Sequence, residues 1–190
     1  MCYNNLTNKI FSGVFCVMNI FLPYENDIKK SVMSLDDKRL NKQILECKQL
    51  LSLAIDEKAC VDISKRGYRN HPIYTHYKYD LQFLSLYGYY CCLEYKFRFN
   101  KEHSIHKYFD DKRIEYNGLQ LFTIYLPYYM EGSKGKPNYI RTTSNVGHLY
   151  RMKLIEKWVM DKRQPKWTNR EVPYFYVEYL NRVDKYGKNL

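Results

Sequence analysis

Arg39, Lys42, Gln43 and Glu46 are the residues of this chain best placed to do chemistry together. In a helical Ser34-Leu-Asp-Asp-Lys-Arg-Leu-Asn-Lys-Gln-Ile-Leu-Glu46 run, their spacing sets two cations and an amide around one carboxylate on one face. A carboxylate so placed can shuttle a proton while Arg39 and Lys42 keep it ionised and grip phosphates. The plainer reading is a solvated face whose i,i+3 and i,i+4 ion pairs contribute about 0.3 kcal/mol each.

A second group is Arg69-Asn70-His71-Pro72, with Arg66 beside it. It falls where a basic loop meets a helix start, and free N–H groups there favour an anion such as a phosphate. An ordinary helix cap by Asn70 or His71 explains the same residues equally well. Arg141-Thr-Thr-Ser-Asn145, followed by His148 and Arg151, offers phosphate-contacting groups at another helix start, with capping again the alternative. His103 and His106 have an i,i+3 spacing found in some metal pairs, but no neighbouring Cys or carboxylate set completes a site, so neither a metal nor another cofactor is expected. Gly132 and Gly135 lack the flanking strand and helix of a phosphate loop. No Ser/His/Asp or Cys/His arrangement stands out, which leaves Glu46 as the candidate for catalysis.

The elements that must hold these groups are helices. Ser34 can cap a helix beginning near Leu35, with Asp36 and Asp37 in its first turn, and Leu40, Ile44, Cys47, Leu51 and Ala54 form its core-facing stripe. Residues 26–33 read as a turn or short helix, and residues 56–70 as a basic loop. Pro72 opens a second long helix to about Arg98, carrying Tyr77, Leu81, Leu84, Cys91 and Tyr95 at helical spacing. A shorter helix is expected over 104–116, loops around 118–145, and a helix over 145–162 with Leu149, Met152, Ile155, Trp158 and Val159. An aromatic tail follows, Trp167 then Tyr174-Phe-Tyr. The expected fold is all-α, a compact single-domain helical bundle with long loops.

That domain is expected over residues 18–182, with 183–190 as a tail. The apolar run Ile10 to Leu22 is thirteen residues, too short to span a bilayer, and no small-x-small cleavage site follows it. Residues 1–17 read as an upstream extension of the reading frame, with Met18 the natural start, or as an N-terminal arm. The 190 residues carry 31 Lys and Arg against 20 Asp and Glu, a formal charge of +11. A polyanionic partner follows, nucleic acid before anionic membrane. The 21 tyrosines suit base stacking and suit an ordinary core as well. Cys2, Cys16, Cys47, Cys60, Cys91 and Cys92 contain no C-x-x-C pair and read as reduced, intracellular thiols.

The order of short motifs is similar to that of a known family. Asn19-Ile-Phe-Leu, Leu35-Asp-Asp-Lys-Arg-Leu, Glu46, and Arg69-Asn-His-Pro72-Ile-Tyr leading into Tyr79-Asp-Leu-Gln-Phe-Leu84 resemble the pyrimidine-dimer DNA glycosylases of the phage endonuclease V type. The nearer likeness is to a branch beginning with a Phe-Leu-Pro-Tyr stretch. The similarity covers about residues 18–100, with fainter agreement at Ser144-Asn145, Arg151-Met-Lys and Gln164-Pro-Lys-Trp167.

The resemblance implies a helical fold that kinks duplex DNA and extrudes a base, without a cofactor. It also implies a glycosylase with abasic-site lyase activity, in which the α-amine of the first mature residue attacks the sugar C1′ to form an imine. Glu46 aligns with the glutamate that assists ring opening and β-elimination, and Met18 or Asn19 would supply the amine. Arg39, Lys42, Gln43, Arg69, Asn70, His71, Arg141 and Arg151 would hold the DNA. An α-amine has a pKa near 8, roughly two units below lysine, so more of it is nucleophilic at neutral pH. The chain departs from the family where Asn19 follows Met18 in place of a small residue. It departs again where Leu45 and Gln49 replace arginines flanking the glutamate. A monomer is expected, with no membrane association, located where DNA is accessible. The alternatives are a non-catalytic nucleic-acid-binding protein of the same fold and an interaction protein whose charge serves solubility.

Overall fold

The computed structural model describes residues 18–25, 27–118 and 146–186. Among them are seven helices and no strand: α1 (Ile28–Met33), α2 (Asp37–Lys58), α3 (Pro72–Tyr77), α4 (Leu81–Phe99), α5 (His106–Glu115), α6 (Val146–Met160) and α7 (Tyr174–Tyr186). The all-α fold is as expected from the sequence. The extension at 1–17, the loops around 119–145 with Arg141, and the last residues of the tail lie outside the described residues.

Helix α2 is the axis of the site. Its stripe of Leu40, Ile44, Cys47, Leu51 and Ala54 is buried as the periodicity requires. Helix α4 packs along α2 and also against α1 and α5. Gly88 makes the α4–α5 approach possible: a Cβ there would lie 2.1 Å from the ring of Phe109, a fully buried side chain. The segment before α1 is buried from Met18 to Leu22 and lies against α2, α4 and α6.

Three expectations about the elements are corrected. Ser34 does not cap α2. Its hydroxyl donates to Ser31 O (2.7 Å) and closes α1. Asp36 takes the cap position of α2, but its carboxylate is committed elsewhere, accepting from Trp158 Nε1 (2.7 Å) and Arg39 (3.1 Å). The expected helix from Pro72 to Arg98 is two helices. Asp80 accepts from the Phe83 N–H (3.3 Å) and starts α4 afresh, because a short carboxylate can satisfy a first-turn donor that a continuous helix would already have used. In α6, Tyr150, Leu154, Ile155 and Trp158 face inward while Met152 and Val159 are exposed. Both sides of that helix carry apolar residues, so periodicity does not select one.

The aromatic tail folds. Trp158, Trp167, Phe175 and Tyr176 form one cluster in which Trp158 and Trp167 meet edge to face at 5.0 Å, and α7 runs past residue 182. Near it, Arg98, fully buried, pairs with Glu94 (2.8 Å) and Asp37 (3.1 Å), and Arg170 closes on Glu94 (2.7 Å). These bonds fasten the 167–170 segment to α2 and α4. Cys47, Cys91 and Cys92 are buried free thiols and Cys60 is an exposed one. No described helix is long and apolar enough to cross a membrane.

Candidate active site around Glu46

Glu46 is 7% exposed and sits at the junction of α2, the 18–22 segment and α6. Its carboxylate receives a hydrogen bond from the Asn19 backbone N–H and one from Gln43 Nε2 (2.9 Å). Lys42 Nζ lies 3.4 Å away, one helical turn back. Lys157 of α6 contributes a further positive charge. Its place follows from the way α6 crosses α2. Trp158 reaches Asp36, and Asp161 takes hydrogen bonds from Lys38 and Arg39, both at 2.9 Å. Lys157, one turn before Asp161, then comes level with the next turns of α2.

Burial pushes the Glu46 carboxyl above its ordinary value, with Lys42, Lys157 and the Asn19 N–H pulling the other way. Desolvation outweighs the neighbouring cations, so the carboxyl is easier to protonate than a free one, while Lys42 and Lys157 still favour its charged form. Arg39 gives Glu46 no help. Its guanidinium is spent on Asp36 (3.1 Å) and Asp161 (2.9 Å) and is almost wholly buried. Gln43 is also turned inward. Its Nε2 donates to Asn19 O (2.6 Å) and Glu46, and its Oε1 accepts from the Phe21 N–H (3.1 Å) and Tyr87 hydroxyl (2.9 Å). Every hydrogen-bonding position of that amide is used inside the protein, leaving none for an outside ligand.

Met18 and Asn19 are buried, and the Asn19 side-chain oxygen is a buried acceptor with no protein partner. The arrangement thus places one particular nitrogen, that of Asn19, on the candidate proton carrier.

The second basic group lies elsewhere on the surface. Arg69 and Asn70 are exposed, and Arg66 is paired with Asp56. His71 caps α3, its Nδ1 accepting from the Ile73 N–H (3.2 Å), and burial lowers its pKa so that it is neutral at pH 7. This loop borders a groove of about 520 Å³ against Leu45, Lys48 and Gln49 on the outer flank of α2, through Arg66 and Tyr68. Arg151 donates to Pro23 O (3.2 Å), tying α6 to the 18–25 segment. His103 and His106 are engaged separately, with the Ile105 N–H and with Glu102, and no group of metal-ligating residues occurs among the described ones.

Tyr87 and Lys157 were not legible as site residues. Tyr87 reads as one more core aromatic, and Lys157 as one more surface cation; nothing local ties either to residue 19 or 46.

A helical domain with a buried carboxyl against a backbone nitrogen is the class of protein that fold and site define. Residues 18–107 match the family model described as pyrimidine dimer DNA glycosylase. Through that segment, which carries Met18, Asn19, Gln43, Glu46, Arg69–His71 and Tyr87, the chain resembles the pyrimidine dimer DNA glycosylase family. Neither the curated proteins nor the solved structures yield a match.

Proposed function

We propose that the protein is a DNA-repair glycosylase with abasic-site lyase activity, acting on pyrimidine dimers or another damaged base in duplex DNA. The match of residues 18–107 to a DNA glycosylase family supports a DNA substrate. The observation that carries the finer reading is the hydrogen bond between the Asn19 nitrogen and Glu46. In a mature chain beginning at Asn19, that nitrogen is an α-amine; in one beginning at Met18, the amine is one residue away.

The amine attacks C1′, the C1′–base bond breaks, and loss of the amine proton with opening of the sugar ring leaves an imine. Glu46, protonated, delivers its proton to the ring oxygen. As a carboxylate it then takes the C2′ proton, and β-elimination expels the 3′ phosphate. Burial, which raises the Glu46 carboxyl above its ordinary value, makes its protonated form more accessible than that of a free glutamate. Lys42 and Lys157 offer charge to the phosphates beside the site, and Arg69, Asn70 and His71, with Arg141 and Arg151, are proposed to hold the DNA further out. Arg39 and Gln43 belong to the protein interior instead.

The test is borohydride trapping on an abasic duplex, using the full chain, a chain starting at Met18 and a chain starting at Asn19. An adduct on the N-terminal residue of a shortened chain, with none on the full chain, is the expected result. A chain that binds duplex DNA without trapping or cleavage in any form overturns the imine chemistry. It would leave the second reading, a nucleic-acid-binding protein of the same fold.

A further inference from the structure

We infer that Gln43, oriented by Tyr87, is a positioning residue that fixes the Asn19 nitrogen against the Glu46 carboxylate. This rests on the functional reading above for its consequence in catalysis, and on the hydrogen bonds alone for the positioning itself.

Gln43 is 1% exposed, and only one orientation of its amide is possible. Two acceptors, Asn19 O and Glu46 Oε2, face one end, so that end must be the NH2. The carbonyl end then meets the Phe21 N–H at 3.1 Å and the Tyr87 hydroxyl at 2.9 Å. The same hydroxyl lies 3.0 Å from Phe21 O, so its single proton serves the entry segment or the glutamine. Burial holds the Tyr87 phenol far above its usual pKa, and it stays a donor at every working pH.

One side chain therefore grips residues 19 and 21 of the entry segment on one side and the carboxyl of residue 46 on the other. A rotation of Gln43 would release both. Apolar packing alone holds an extended segment by depth but not by register, whereas paired donors and acceptors fix both.

The experiment compares wild type, Gln43→Met and Tyr87→Phe in the full chain, with the Glu46 carboxyl carbon followed by NMR titration. The same three forms, started at the residue that traps, are assayed for single-turnover cleavage of an abasic duplex. Gln43→Met removes a donor from the Glu46 carboxylate. The titration should move to higher pH even with Lys42, Lys157 and the Asn19 N–H still facing it. Cleavage should fall on the order of 100-fold without a comparable loss of DNA affinity, since misplacement by about an ångström costs that much.

Tyr87→Phe keeps the ring packing and should shift both readouts the same way by less, which serves as the test if Gln43→Met does not fold. A lowered Tm with unchanged Glu46 titration and unchanged cleavage would reduce Gln43 to a structural residue and overturn the inference. If wild type neither traps nor cleaves, the functional reading falls, and the titration still decides the positioning.

Discussion

Glu46 is held in a place where its charged form is poorly solvated, and that tension gives a signed prediction. Its folded pKa is raised above the ordinary value of 4.5. The ionised carboxylate therefore costs stability at pH values above the folded pKa, and the cost shrinks as pH falls through it. Below 4.5, where the unfolded chain is also protonated, it is gone. Glu46→Gln should accordingly raise Tm at pH 7 by about 2–4 °C while abolishing cleavage. Thermal melts at pH 7 and pH 4 check this, and a Tm gain that persists undiminished at pH 4 contradicts it. Arg39 and Asp161 show the opposite case. Desolvation alone would raise the Asp161 carboxyl, but hydrogen bonds from Lys38 and Arg39 hold it below the usual carboxylate range.

At the scale of elements, α2 does two jobs on adjacent faces. Leu40, Ile44 and Cys47 look into the core, and Gln43 and Glu46 look toward the entry segment. Its register is thus set by packing, and the site inherits it. Helix α4 supports that register from behind, and its closeness to α5 depends on Gly88. Gly88→Ala forces its methyl into the Phe109 ring, whose side chain has no room to yield. We expect a destabilisation of about 2–3 kcal/mol by urea titration. A stability change within about 0.5 kcal/mol would show that α5 is not packed there as described.

For the whole molecule, charge decides how a polyanion is met. The formal charge of +11 is not lowered by the interior ion pairs, because Arg39 and Arg98 are matched there by Asp36, Asp161, Asp37 and Glu94, which the net figure already counts. If about four or more phosphates are contacted, duplex affinity should fall at least about 100-fold between 50 and 200 mM salt. Arg69→Ala should lower the slope of log affinity against log salt by about one, uniformly across sequences. Fluorescence anisotropy over a salt series measures both. A flat salt response would leave the exposed cations without a nucleic-acid role.

Composition and periodicity by themselves determined the helical class, the inward stripe of α2 and the grouping of Gln43 with Glu46, because these depend on spacing within one helix. The ordered motifs of residues 18–84 were enough to point to the family. Only the tertiary structure decided which partner each polar group takes. Trp158 and Asp161 come from more than 100 residues away to claim Asp36 and Arg39, Tyr87 reaches back to Phe21 and Gln43, and Lys157 arrives beside Glu46 from α6. The same holds for the break at Asp80 and the fold of the aromatic tail. Hydrogen-bond partners and desolvation are properties of a packed interior, and a pattern along the chain carries neither.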